Sequence, residues 1–480
     1  MVECLLIEPP IFGSKFGVMR QIASIGRFKS LVKYPPLDLM IIGGLLRKNG
    51  IDFKIIDSIN MKHTKQDIKK IIENEKPKCV AFTTTVPTLD NDTSIADICK
   101  SVDKNIKTIQ VNMATESASF NLLERYPNLD FVPYRDPEMP ILKLIQNDYD
   151  GSKVPGIYWR DSGEIRKNEG GICADINQFG TPAHDMVPLK MYEDYLSKKK
   201  PMTMTICSRG CKNQCYHCMT RYLNPLRHRT IESMEEEFNF LKRLGIKEIK
   251  FLDCELPFGD TEEILNWARE LFNMMIRNKY NFSWFCNGRA DCLPIDILKL
   301  MKEAGCHTVC LGADSNTQEV LDSMGKNEKV EDIEAAADNI KKIGMRLMTF
   351  VTLGHPKESK ESIKKTADWI IHKINPDITS FSLAVPIRGT VFYNYLKKNN
   401  FMKDVPEGEE WDASKPPVYD YPNLSSEEMY RLAIRSYRKF YLRPAFVWKR
   451  MKNWRKLWFD FKSFIYFLDM YFLESRRTKS

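Results

Sequence analysis

The chain has 480 residues, enough for about three domains at roughly 150 residues each. With 43% apolar and 28% charged residues it is a folded protein, and thirteen cysteines are too few for a disulfide scaffold. The net charge is +9, but Arg431 to Ser480 alone carries 14 basic and three acidic residues, so the preceding 430 residues sum to −2. A basic groove through the body is excluded, and no nucleic-acid partner is expected. The opening MVECLLIEPP lacks a secretory n-region and apolar stretch, and no run of 18 uncharged apolar residues occurs. The expected setting is therefore cytoplasmic and reducing, without a membrane span.

Residues 1–150 alternate short apolar runs with amphipathic ones: CLLIE, then LDLMIIGGLLRKNG, then FKIID, IKKIIENE, CVAFT, TSIADICKSVD, IKTIQV and LDFVPY. Strands separated by helices of this size predict an open parallel α/β sheet covered on both faces, Rossmann-like in type. Its ligands would lie beyond the strands' carboxyl ends, in the loops 8–10, 84–88, 112–116 and 134–138. Residues 151–197, rich in Gly, Pro and Asp, predict a linker with one hairpin around IYWRDSGEIRK. From 198 to 395 a second alternation follows, with strands near 202–207, 248–253, 282–287, 307–312, 346–353 and 379–385. Six consecutive β-α units predict a partial β/α barrel that works at its strands' carboxyl ends. A helical region, 396–480, completes the chain.

Directly after the first barrel strand stands CSRGCKNQCYHC, with Cys207, Cys211, Cys215 and Cys218 in twelve residues. Four such thiols in a reducing compartment point to metal held by thiolates, either zinc or an iron-sulfur cluster. Zinc is the weaker reading, because structural zinc sites usually join two pairs from separate segments. A closed four-cysteine site including Cys207 would describe a non-enzymatic, metal-stabilised binding protein.

The order Cys-x3-Cys-x2-Cys at Cys211, Cys215 and Cys218, after Ser208-Arg209-Gly210, resembles the radical S-adenosylmethionine (SAM) superfamily. The resemblance implies a 4Fe-4S cluster on these three cysteines, with one iron left to bind SAM, reductive SAM cleavage to a 5′-deoxyadenosyl radical, and an external one-electron reductant of flavodoxin or ferredoxin type. His217 departs from it, standing where Phe, Tyr or Trp is usual. The resemblance recurs at later strand ends. In FLDCELPFG, Asp253 and Glu255 are implied to receive the SAM ammonium; in WFCNGRAD, Arg289 is implied to face the SAM site. In CLGADSN, Gly312, Asp314, Ser315 and Asn316 stand at Gly-x-Glu-Ser-Gly positions, which gives Ser315 a SAM contact. FVTLGHP offers Gly354 to adenine, and VPIRGT places Pro386 and Gly389 on the rim.

The open sheet ahead of this barrel resembles the cobalamin-binding class of the superfamily. Cobalamin is then implied at the sheet's carboxyl edge, near Thr84, Pro87, Thr88, Asn112 and Ala114. Asp38 stands where the class commonly has Gly, and Tyr134 to Glu138 replaces a Gly-Glu-Gly-Glu segment. The class implies C-methylation at an unactivated C-H bond, or alternatively oxidation, cyclisation or rearrangement without methyl transfer. The substrate is expected to be a small molecule, with a lipid-like one kept in view by the aromatic, basic tail. There Trp454, Leu457, Trp458, Phe461, Ile465, Leu468 and Phe472 share one helical face. That face is expected to pack on the barrel, or alternatively to touch a membrane surface peripherally. His63, His184, His228, His307, His355 and His372 are assigned no ligand role.

Overall fold

The computed structural model describes residues 2–11, 17–18, 27–28, 32–85, 88–111, 122–220, 224–405 and 415–451. The first sheet is built from β1 (Cys4–Glu8), β2 (Phe53–Asp57), β3 (Cys79–Thr83), β4 (Lys107–Val111), β5 (Phe131–Pro133), β6 (Ile157–Asp161) and β7 (Glu164–Asn168), in the order β2-β1-β3-β4-β5-β6-β7. The pairs among β1 to β5 are parallel, and the two pairs β5-β6 and β6-β7 are antiparallel. All five residues of β1 are buried, as a central strand covered on both faces requires. Cys4 and Leu6 meet Leu39, Met40 and Leu46 of α1 (Leu37–Lys48), whereas Leu5 and Ile7 pack on the opposite face with Ile68 and Ile72 of α2 (Lys65–Glu75) and Ile95 of α3 (Leu89–Val102). The period of two in the strand thus feeds two separate cores.

The first sheet does not stop at residue 150. The expected hairpin exists, but its strands β6 and β7 join the sheet by antiparallel pairing, so the first part of the predicted linker belongs to the amino-terminal fold. Ser162 and Gly163 turn the chain with φ of 49° and 92°, as a two-residue hairpin with a matching twist requires.

The second sheet runs β8 (Met202–Thr205), β9 (Glu248–Phe251), β10 (Ser283–Gly288), β11 (Cys306–Gly312), β12 (Arg346–Leu353) and β13 (Ile378–Leu383) in consecutive order, every pair parallel. This is the open, six-stranded arc predicted from the second alternation. Its core gathers Phe238 of α4 (Ile231–Arg243), Phe272 of α5 (Glu262–Arg277), Trp284, Met301 and Ile340. Met202 and Met204 of β8 pack instead with Ile41 and Tyr192 in the amino-terminal core, so the two sheets share an apolar joint. At the far edge α6 (Ser426–Tyr441), started by a capping box between Ser425 and Glu428, lies on β13. There the Tyr441 hydroxyl donates to the Thr379 carbonyl at 2.7 Å and accepts from its N–H at 3.3 Å, covering an otherwise unpaired strand edge. The aromatic face from Trp454 to Phe472 lies outside the described residues. No helix among the described residues is long and apolar enough to cross a membrane.

Candidate active site

The cysteine loop leaves the carboxyl end of β8 and is held at its base by a short antiparallel ribbon, Ser208 and Arg209 against His228 and Arg227. The Cys211 N–H donates to Asn224 Oδ1 (3.1 Å), the Cys218 N–H to the Cys215 carbonyl (3.1 Å), and the Tyr216 N–H to the Met324 carbonyl (2.8 Å). Cys211 Sγ lies 3.5 Å from Glu255 Oε1 and accepts from the Asn213 N–H at 3.4 Å; Cys218 Sγ lies 3.0 Å from Thr220 Oγ1. Burial, followed by the Glu255 charge, pushes the Cys211 thiol up to about 12; burial and then Cys218 push Cys215 up to about 12. Thiolates in such a place need a cation, and a bound iron cluster supplies the positive charge that reverses the shift. Among the described residues no three His, Cys, Asp or Glu side chains converge on one ion position. A cubane asks for a wider arrangement than a zinc ion, with each thiolate on a different iron. The donor set, three soft sulfurs on one loop, fits such a cluster.

Cys207 points elsewhere. It is fully buried in the barrel core, where burial and then the Asp253 charge hold it as a thiol. The sequence reading missed Cys254, whose thiol stands close enough to Cys211 and Cys218 for their charges to raise it after burial does. Its only sequence signal is its place between two acids already singled out.

Asp253 anchors the start of the cysteine loop: its Oδ1 accepts from the Cys207 N–H (3.0 Å), the Ser208 N–H (2.6 Å) and the Ser208 hydroxyl (2.6 Å). Burial still lifts it to about 6 against those bonds. Glu255 is the acid that faces the thiols, with Asn213 Nδ2 at 3.3 Å from its Oε1. Arg289 acts electrostatically on both Glu255 and Cys215, while its Nε donates to Asp291 at 2.9 Å and its Nη2 to the Lys326 carbonyl at 2.5 Å.

Ser315 is fully buried, and its hydroxyl accepts from the Thr317 N–H (3.1 Å) and lies 3.5 Å from Thr366 Oγ1. Asn316 in place of Gly contributes, since its side chain joins the same hydroxyl group of contacts. Gly354 has φ of +89°, and a Cβ there would lie 2.4 Å from the Tyr419 hydroxyl, which donates to the Gly354 carbonyl at 2.9 Å. Tyr419 is thus a close approach that demands glycine at this position.

Asp314 is tied to Lys326 (2.7 Å) and to the Thr352 N–H (2.9 Å). Although burial pushes its carboxyl up, Lys326 holds it at about 2. Beside it the rings of His217 and His355 lie 4.8 Å apart, both neutral because burial lowers their pKa, His355 to about 3. A neutral imidazole at 217 is a flat ring, which preserves the shape of the aromatic residue usual before the last cysteine. Glu358 caps the turn after β12, accepting from the N–H groups of Gly354 and His355. Burial raises its pKa to about 8, so in the folded state it keeps a proton that the unfolded chain releases near the ordinary value of 4.5. This contribution to stability is full below about pH 4.5 and is lost as pH rises through about 8. Glu358→Gln keeps an acceptor for both N–H groups, so the variant is expected to show a flatter stability-versus-pH curve and a gain over wild type at pH 8.5, read by denaturant melts.

At the carboxyl edge of the first sheet, Gln110 Nε2 donates to Thr84 Oγ1 (2.6 Å), and the Thr88 hydroxyl donates to Asp92 (2.6 Å). Gln110 Oε1 and Asp38 Oδ1 are buried acceptors without partners. Such acceptors fit a ligand with an N–H-bearing rim, as cobalamin's amide-fringed corrin has. Pro87, Asn112 and Ala114 lie outside the described residues. The two sheets meet here through Arg209. Its Nη1 donates to Asp136 (2.9 Å) and Glu138 (2.9 Å), and its Nη2 donates to Glu138 (2.7 Å), all with side chains almost wholly buried. Arg227 bonds the other Asp136 oxygen and the Cys173 carbonyl. The segment 134–138 thus turns its acids toward the cysteine loop.

Residues 205–370 match the family described as the Radical SAM superfamily. The barrel is a radical SAM domain, and the chain is a radical SAM enzyme. An uncharacterized methyltransferase of Pyrococcus horikoshii is 26% identical over 458 residues, which is 94% of each chain. The fold is shared with the radical SAM methyltransferase TsrM from Kitasatospora setae, solved with cobalamin and a 4Fe-4S cluster (TM-score 0.64, 17% identity, 85% of this chain and 80% of that one). It is shared also with OxsB, a cobalamin-dependent SAM radical enzyme (TM-score 0.64, 17% identity, 92% of this chain and 61% of that one).

Proposed function

We propose that this protein is a cobalamin-dependent C-methyltransferase acting on a small-molecule substrate and fed by an external one-electron reductant. Cys211, Cys215 and Cys218 would hold the 4Fe-4S cluster, Glu255 would receive the SAM ammonium, and the carboxyl edge of the first sheet would hold the corrinoid. When bound, the reduced cluster supplies the electron that splits SAM into methionine and a 5′-deoxyadenosyl radical, and the corrinoid supplies the methyl group. Around them, Asp253 fixes the entry of the cysteine loop, Arg289 balances the charge of Glu255, and His217 offers a neutral ring. The observation that carries the reading is the Arg209 clamp, which fastens the thiol-bearing loop to the ligand-binding edge of a parallel sheet.

The test is anaerobic purification, iron, sulfide and corrinoid analysis, and product resolution after adding SAM, reductant and candidate substrates. Methylation forms S-adenosylhomocysteine together with deoxyadenosine. Deoxyadenosine alone, with an altered but unmethylated substrate, would replace this reading by radical oxidation, cyclisation or rearrangement.

A further inference from the structure

The barrel lumen has an uncovered aromatic wall. Along β12, Leu347, Val351 and Leu353 belong to the main barrel core, whereas Met348 belongs to a separate small cluster with Leu196, Phe285, Cys310 and Ile378. That cluster is the floor of the lumen. The segment ahead of β8 holds it from below: the Leu196 carbonyl accepts from Arg346 (2.6 Å), the Tyr195 hydroxyl lies 3.3 Å from Met348 Sδ, and Asp194 accepts from Lys250 (3.2 Å). The period of two puts Phe350 on the Met348 face, one step above the floor. There it is 38% exposed, a large apolar ring left open inside a barrel. Its neighbours explain this. In register it stands between Gly312 of β11 and Ser380 of β13, neither of which has a side chain able to cover an aromatic face. Thr352, about 7 Å further along the strand, donates its N–H to Asp314, so the ring lies next to the candidate active site. Charges at the two ends of this wall are matched, Lys250 with Asp194 at the floor and Lys326 with Asp314 at the mouth. Between them the same face of β11 to β13 offers Gly312, Phe350, Thr352, Ser380 and Ser382, none of them ionisable. An ion entering here would shed its water without gaining a partner.

We infer that the substrate enters this lumen as an uncharged molecule and lays a flat apolar ring on Phe350, the residue that sets the selectivity. The slot left by Gly312 and Ser380 admits a ring in offset contact with the Phe350 face, the arrangement aromatic pairs prefer. The hydroxyls of Thr352 and Ser382 suit a neutral polar substituent on that ring. This inference rests on the methyltransferase reading above and narrows its substrate.

The test is equilibrium dialysis, which needs no turnover. Full-length protein with its cluster oxidised and SAM added is dialysed against naphthol, naphthoate and naphthylmethylammonium, probes with one ring system, substituted at the same carbon, that differ in charge. Wild type is expected to bind naphthol about tenfold or more tighter than either ion. Phe350→Ala should weaken naphthol binding by about three- to tenfold, and Phe350→Leu, which keeps apolar bulk without a flat face, by less. Ser380→Trp, which fills the slot beside the ring, should abolish naphthol binding in protein that keeps its iron. Tyr395→Ala removes an aromatic of the same 38% exposure outside the lumen and should change nothing. Failure of wild type to bind naphthol, equal or tighter binding of an ion, or indifference to both Phe350→Ala and Ser380→Trp would overturn the inference. The methyltransferase reading stands or falls separately, on S-adenosylhomocysteine formation.

Discussion

Arg209→Met is expected to destabilise the protein by about 3–5 kcal/mol, because it strips the charge partner from two buried carboxylates. Glu138 loses both of its bonds to Arg209, and Asp136 keeps Arg227 and the Cys173 N–H. The pair sits where water cannot replace the guanidinium, so the loss is of the kind seen for buried ion pairs and not the small one of exposed pairs. Arg227 and Arg209 hold the Asp136 carboxyl below its ordinary value even though burial pushes the other way. A carboxyl depressed in this way lends stability above its ordinary value of 3.8 and loses it only as pH falls below that. In Arg209→Met the stranded Glu138 carboxyl is instead raised by burial, so the deficit is expected to grow with rising pH in thermal melts. The double variant Arg209→Met with Glu138→Met should recover much of the midpoint, since an apolar pair can replace a buried ionic one. Deoxyadenosine formation should stay low in that double variant, because the cysteine loop is no longer fastened to the sheet edge. Full recovery of both quantities would reduce the clamp to a structural prop.

Alanine at Cys211, Cys215 or Cys218 is expected to abolish deoxyadenosine formation and the iron-dependent absorbance near 400 nm, a region typical of sulfur-to-iron charge transfer. Cys207→Ala should keep both, with a stability loss on the order of 1 kcal/mol, because that thiol is fully buried in the barrel core. Cys254→Ala should keep its iron content and is the sharper control, since its thiol is the additional one beside Cys211 and Cys218. Were Cys254→Ala to lose the cluster, the fourth iron would have a protein ligand, and the site would be closed to SAM. Iron and sulfide analysis of the five variants under anaerobic conditions separates these outcomes.

The six barrel strands were readable because each is a short apolar run between amphipathic helices with clear ends, and parallel β-α alternation leaves little topological choice. The hairpin at 157–168 was readable as a hairpin but not as part of the first sheet, because pairing with β5 is a long-range backbone contact that neither strand announces. Of the residues singled out for SAM, Glu255 stands against the Cys211 thiol, whereas the oxygens of Asp253 and Ser315 hydrogen-bond to neighbours. Sequence position carries a residue to the right strand end; it does not say which nearby N–H groups will claim its oxygens.

By itself, then, the amino-acid order determined the α/β alternation, the barrel and the three-cysteine spacing, since all of these are local patterns of period and interval. Only the tertiary structure decided that Cys207 enters the core while Cys254 joins the thiols, that Lys326 pairs with Asp314, and that Arg209 crosses to Asp136 and Glu138. The physical reason is desolvation. Once packing removes water from a charge, its partner is whichever opposite group the fold brings within reach, and that group lies far away along the chain.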